Sequence, residues 1–236
     1  MLGRLKRIVL PKAFRRISLM FLRKDMELIV GKIELLENNV RKLDDPSSAR
    51  IILGLIAAED HRYFDHVGVD FRAVVRALRG YVYGKSSGGS TLEQQLVRVL
   101  RNRYEVTAKR KVSEIFLAVS LNDLFEKEFL CLAYAFVAYY GSGGHGLEQI
   151  SKRFELAFDD ISANDAVLLA SLLKRPLPWH PSVEYLEKLD ARKNHVMSRL
   201  INICRSGKLD GLVARADLRN LSFARDILER KGDRQG

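Results

Sequence analysis

The stretch AAEDHRYFDHVGVDFRAVVRAL, Ala57 to Leu78, decides how this chain folds. It opens as the end of an apolar helix that carries Ile51, Leu55 and Ala58 at helical spacing. That helix runs into adjacent acids, Glu59 and Asp60, and then meets Tyr63, Phe64, His66 and Gly68. A second helix begins near Asp70, a good N-cap residue, and repeats Phe71, Val74, Val75 and Leu78 on one face. A carboxylate at the end of an apolar helix, beside aromatics, is a candidate general base. The plainer reading of the same acid pair is a solvated helix end.

The spacing of three and four recurs outward from this stretch, in Ile115 and Val119 and in Ala166, Leu169 and Leu173. Breakers are few and grouped: Asp45-Pro46, Gly84 to Gly89, Gly141 to Gly146, and Pro176 to Pro181. Strand signals are nearly absent. The pattern predicts an all-α globule of roughly eight to ten helices. The expected division is a basic amphipathic arm over 1–44, one domain over 45–222 and a polar tail over 223–236.

With 236 residues, 47% of them hydrophobic and 29% charged, the chain can bury one good core, which excludes wholesale disorder. Cys131 and Cys204 lack CxxC spacing and read as core residues, which argues against a disulfide framework or a zinc site. The net charge of +11 suits an anionic partner: nucleic acid, a membrane face or a phosphorylated substrate. Eight basic residues precede the first acid, Asp25, and alternate with apolar ones such as Phe14, Leu19 and Phe21. Such an arm could lie on a membrane surface, or be a solvated tail. No apolar run reaches the roughly 18 residues of a transmembrane helix, and ISLMFL is short for a signal-peptide core.

Two further stretches bear on chemistry. In GKSSGGSTLEQQLVRVLR, Gly84 to Arg101, a glycine–serine loop delivers the chain into a helix, and Ser90 with Glu93 matches a capping box. Thr91, Gln95 and Arg98 then fall on one helix face, a polar stripe suited to a sugar and a phosphate. In KRKVSEIFLAVSL, Lys109 to Leu121, Arg110 and Glu114 share a face with Lys111 beside them; alone, this is an ordinary surface pair.

In this order and spacing the three stretches resemble the glycosyltransferase family 51 domain, the peptidoglycan-polymerising module of monofunctional transglycosylases and class A penicillin-binding proteins. Glu59, Asp60, Tyr63, His66 and Gly68 resemble the family's E-D-x-x-F/Y-x-x-H-x-G. GGSTLEQQLVRV is similar to its G-x-S-T-x-T-Q-Q-L-V-K-N, and Arg110, Lys111 and Glu114 to its R-K-x-x-E. HGLEQISKRF, His145 to Phe154, and the stretch Asn164 to Leu200, with Arg192 leading into a helix, resemble the later motifs. The likeness covers roughly Asp45 to Leu200.

The resemblance implies a lysozyme-like fold with a large lobe and a smaller membrane-facing jaw, in a monofunctional enzyme acting on lipid II and the growing glycan strand. It implies Glu59 as general base toward the acceptor hydroxyl, with inversion at the donor's anomeric carbon. It assigns the departing pyrophosphate to Arg98, Arg110 and Lys111, with Glu114 orienting them or holding a divalent cation, Mg²⁺ or Mn²⁺. Asp60, Tyr63, His66, Thr91 and Gln95 would shape the sugar pockets. The implied location is the periplasmic face of the inner membrane, among other cell-wall synthesis proteins. Nucleic acid is not the expected partner, because the basic residues cluster in the arm and beside the acids of the motifs and no recognised nucleic-acid motif appears.

The chain departs from the family's pattern at Glu93, where threonine is usual, and at Val99, where asparagine is. In the fourth motif, LCLAYAF, Leu132 and Phe136 stand in for glutamate and asparagine. These departures keep two other readings open. One is an impaired relative that binds precursor or glycan, the other a polymerase of a related polyprenyl-linked saccharide. A lysozyme-type hydrolase is a further enzyme reading.

Overall fold

The computed structural model describes residues 2–82, 89–158 and 160–218. The expected glycine–serine loop, 84–88, and the polar tail, 223–236, lie outside these residues. The chain divides into two compact units. The first is Met1–Val40 with Arg62–Ala138, and the second is Arg41–His61 with Tyr139–Gly236.

The first unit contains α1 (Leu2–Phe21), α2 (Arg23–Leu35), the short α3 (Glu37–Val40), α5 (Phe71–Val82), α6 (Leu92–Arg101), α7 (Ala108–Leu121) and α8 (Lys127–Val137). The second is built on α4 (Asp45–Ala58), which packs against α10 (Ala163–Leu172), α11 (Val183–Ser206) and α12 (Asp210–Arg215). A two-stranded hairpin, β1 (Tyr139–Gly141) and β2 (Gly144–His145), leads into α9 (Leu147–Arg153). Among the described residues nine helices run to ten residues or more, as the periodicity predicts; α3, α9 and α12 are additional short ones. The hairpin is the departure: the glycines read as a helix breaker fold back as a pair of short strands.

Local chemistry explains where the helices start. The Asp44 carboxylate accepts from the Ser47 amide, and Pro46 follows in the first turn of α4. Every residue of α4 from Ile51 to Ala58 is buried, which its continuous apolar run requires. Gly54 lets α10 come close, since a Cβ there would lie 2.8 Å from the Ala166 carbonyl oxygen. Ser162 and Asp165 cap α10 reciprocally, and Ser182 caps α11.

The basic arm begins as α1, which packs against α7 within the first unit. The Phe14 and Phe116 rings stack at 4.7 Å, the Ser18 and Ser120 hydroxyls hydrogen-bond at 2.8 Å, and Arg15 pairs with Asp123 at 3.0 Å. The contacts tie α1 to α7, which also carries Glu114. Cys131 and Cys204 are buried thiols outside any disulfide, as expected of core residues. No helix among the described residues is long and apolar enough to cross a membrane.

Candidate active site

In the second unit, α4 ends one residue before Glu59, whose amide closes the helix onto the carbonyls of Leu55 and Ile56. The Arg192 guanidinium donates to the Ala58 carbonyl at 2.9 Å and to Glu59 Oε1 at 3.1 Å. The Arg192 Nε is buried with no hydrogen-bond partner among the described residues. Arg192 therefore fixes both the last carbonyl of α4 and the acid that follows it. The sequence had Arg192 leading into a helix; it lies inside α11 instead, because that helix starts at Val183, straight after the prolines. Asp60 follows Glu59 and is buried.

In the first unit, Glu114 is fully buried on α7 and collects three cations. Arg98, from α6, donates Nε to Oε1 at 3.0 Å and Nη2 to Oε2 at 3.3 Å, a two-pronged grip. Arg110 pairs with Oε1 from one turn earlier on α7, and the Lys111 ammonium lies 3.9 Å from Oε2. Lys111 also donates to Ser90 Oγ at 2.8 Å and to Gln94 Oε1. The Lys111 ammonium is held down at about 8, chiefly by burial, with Glu114 opposing the shift and Arg98 and Arg110 adding to it. Three cations on one carboxylate leave two positive charges in excess, a surplus that favours an anion nearby. The cluster is a poor place for a divalent metal, because guanidinium groups occupy both Glu114 oxygens and the neighbouring charges repel a further cation.

The 60s loop is held from within the first unit. Tyr63 is buried; its hydroxyl donates to the Lys127 carbonyl at 2.7 Å, and the Lys127 ammonium lies 3.9 Å from the ring centroid. His66 is buried, and its Nδ1 accepts from the Gly68 amide at 3.2 Å. Gly68 has φ +87°, and a Cβ there would sit 2.5 Å from the Ala118 carbonyl oxygen. Only glycine fits against α7 at this point. Asp70 does precede the first turn of α5: its carboxylate accepts from the Arg72 amide at 3.0 Å and pairs with Arg62 at 3.1 Å.

The capping box assigned to Ser90 and Glu93 is not formed. Thr91 is the cap of α6, accepting from the Gln94 amide while its hydroxyl donates to the Gly68 carbonyl at 2.9 Å. The helix starts one residue later than the motif implied, which turns Glu93 inward. There it is buried and pairs with Lys127 at 2.6 Å. Of the expected polar stripe, Arg98 reaches Glu114, and Gln95 Oε1 accepts from the Tyr134 hydroxyl at 2.9 Å. Gln94 was not singled out from the sequence. It bridges the Gly68 carbonyl and Lys111 from a buried position. Its place beside Gln95 hid it, since only knowing the true cap shows which amide points inward. Leu132 and Phe136 are buried apolar residues of α8.

The transglycosylase family model matches residues 29–201. Penicillin-binding protein 1A of Aquifex aeolicus is 33% identical over 160 residues, 66% of this chain and 22% of that protein. Penicillin-binding protein 2a of Streptococcus pneumoniae is 31% identical over 148 residues, 62% of this chain and 20% of that protein. Penicillin-binding protein 1A of Escherichia coli is 30% identical over 161 residues, 67% of this chain and 19% of that protein. The chain thus spans about a fifth of the length of the curated relatives it matches. With most of its length inside the family model and its helical fold and motifs in the family's order, the chain belongs to the transglycosylase family of glycosyltransferases.

Proposed function

We propose that this chain is a peptidoglycan glycosyltransferase that polymerises lipid II, the disaccharide–peptide unit carried on a polyprenyl pyrophosphate, with inversion at the donor's anomeric carbon. The observation that carries the reading is the Glu114 cluster, where Arg98, Arg110 and Lys111 gather around one buried carboxylate. Such a cluster suits the one hard demand of this transfer, holding the charge of the departing pyrophosphate.

In this reading Glu59 takes the proton of the acceptor's 4-hydroxyl as that oxygen bonds to C1 of the donor. The C1–oxygen bond to pyrophosphate breaks in the same displacement, and the leaving group departs with the electron pair. Arg192 holds the Glu59 carboxylate in its orientation. The leaving group is already good, so no second proton donor is needed, unlike the paired carboxyls of glycosidases. Asp60, His66 and Gln95 shape the sugar pockets, while Tyr63 and Thr91 act by holding the backbone around Gly68 and Lys127. The enzyme would work from the bilayer surface on the periplasmic face, beside other cell-wall synthesis proteins.

A relative that binds precursor without polymerising is favoured by one observation, the apolar Leu132 and Phe136 where the family carries polar residues. One experiment separates the two. Purified chain is incubated with lipid II in Mg²⁺, in Mn²⁺ and in chelator, and the products are run on a gel. Glycan polymer is expected; bound but unpolymerised lipid II in every condition overturns the polymerase reading.

A further inference from the structure

The second unit carries a basic strip beside Glu59 that the proposed chemistry uses only at its first residue, Arg192. Two stretches of this unit hold no acid, Ala166 to Val183 and Ala191 to Ser206, while they hold six lysines and arginines. Asp190, just outside, pairs with Lys193. Arg192, His195 and Arg199 fall at i, i+3 and i+7, on one face of α11 and about 10 Å from end to end.

That face runs along the end of α4. Arg192 donates to the Ala58 carbonyl and to Glu59, and two residues further on Arg199 Nη2 lies 3.1 Å from His61 Nδ1. Lys174, exposed in the turn after α10, adds its charge from a third element. Partial desolvation and the charges of Arg192, Arg199 and Lys174 hold His195 below the usual histidine range. An anion bound among these groups would favour the imidazolium and reverse that shift.

The layout of the cations selects the kind of anion. Arg192 already answers Glu59. The groups beyond it are strung out at one-turn intervals, unlike the three cations that converge on Glu114. A compact pyrophosphate fits convergent charges; single carboxylates spaced along a chain fit a strip. An acceptor whose hydroxyl lies at Glu59 carries such a chain, the peptide on its second sugar, one ring away from that hydroxyl.

We propose that this strip reads the carboxylates of the acceptor's peptide, with His195, Arg199 and Lys174 as specificity-determining residues. The proposal rests on the reading of Glu59 as the base toward a lipid II acceptor, and it adds that the peptide, and not the sugars alone, selects which unit is accepted.

The test follows the His195 pKa by NMR titration of the full chain, with His195→Gln identifying the signal. Three probes are used: the water-soluble disaccharide–peptide cut from lipid II at its pyrophosphate, the same compound with its carboxyls converted to amides, and inorganic pyrophosphate. The free acid should raise the His195 pKa and bind about tenfold more tightly than the amide, the range expected of charge-assisted hydrogen bonds. Arg199→Gln and Lys174→Gln, checked for folding by circular dichroism, should each erase most of that preference and leave the amide's affinity unchanged. Equal binding of acid and amide overturns the proposal, as does a His195 pKa that the free acid leaves in place or an equal loss of both compounds in the variants. A larger pKa rise with inorganic pyrophosphate at the same concentration also overturns it and assigns the strip to phosphate. The titration needs no turnover. Preference for the free acid in a chain that makes no polymer upholds the strip and sinks the polymerase reading; polymer from lipid II without that preference does the reverse.

Discussion

Replacing Glu114 by Gln removes the carboxylate against which Arg98, Arg110 and Lys111 are packed. The side chain is nearly isosteric, so the change is one of charge. Breaking a fully buried pair by deleting one partner costs about 3–5 kcal/mol. Here the three cations keep 27%, 11% and 33% of their side-chain exposure, so solvent screens part of the loss. The glutamine amide oxygen also still accepts one guanidinium hydrogen bond. A cost of about 2–3 kcal/mol is reasonable after that discount. In a domain of this size it lowers the melting temperature by roughly 4–12 °C.

Differential scanning calorimetry checks the stability, and added pyrophosphate checks the cause. In the variant the cations face one another with no counter-charge, so pyrophosphate should raise its melting temperature more than that of the wild type. Polymer synthesis from lipid II should fall steeply, since the phosphate-binding groups lose the acid that aligns them. A melting temperature within about 2 °C of wild type would refute the energetic argument. An equal pyrophosphate response in both proteins would refute the anion site.

Three other outcomes follow from the geometry. Glu59→Gln should abolish polymer formation from lipid II while leaving the helical circular-dichroism spectrum intact, because Arg192 can still donate to the amide oxygen; retained synthesis removes Glu59 from the base role. Lys111 titrates near 8 when folded and near 10.5 when unfolded, so between those values the unfolded chain holds the extra proton and stability rises with pH. Anion grip runs the other way. The apparent KM for the lipid donor should climb as pH passes about 8, and Lys111→Arg, charged throughout, should flatten that climb. Gly68→Ala forces a side chain at φ +87° into the Ala118 carbonyl and should cost roughly 2 kcal/mol or more, read as a depressed melting temperature.

What could be read from the sequence was local. The period of Ile51, Leu55 and Ala58 marks α4 because burial on one helix repeats at helical spacing, and the 110–114 pair follows from helix geometry alone. Asp70 at the head of α5 is legible for the same reason, since a cap and its amide lie two positions apart. Partners on other elements were not legible. Nothing in the spacing of Glu59 and Arg192, 133 positions apart, announces their hydrogen bond. A one-residue error at the start of α6 was enough to exchange the roles of Ser90 and Thr91 and to hide Gln94. Ser90, stripped of its capping role, accepts from Lys111 and Arg98 and so belongs to the Glu114 cluster.

The departure at Glu93 has a physical explanation. A carboxylate on the inner face of α6 is costly unless a cation meets it, and Lys127 does so at 2.6 Å while also donating to the Tyr63 carbonyl. Asn122 adds a longer contact at 3.4 Å to the same oxygen, while Oε2 stays buried without a partner among the described residues. Lys127 opens α8, the helix whose middle has become apolar at Leu132 and Phe136. In this chain the charged contact from α8 to this region comes from its first residue, Lys127. Through Lys127, Glu93 is tied to both the ring and the carbonyl of Tyr63, at the start of the loop that carries His66 and Gly68. An acid that looks like motif decay in the sequence is, in the fold, the fastening of that loop.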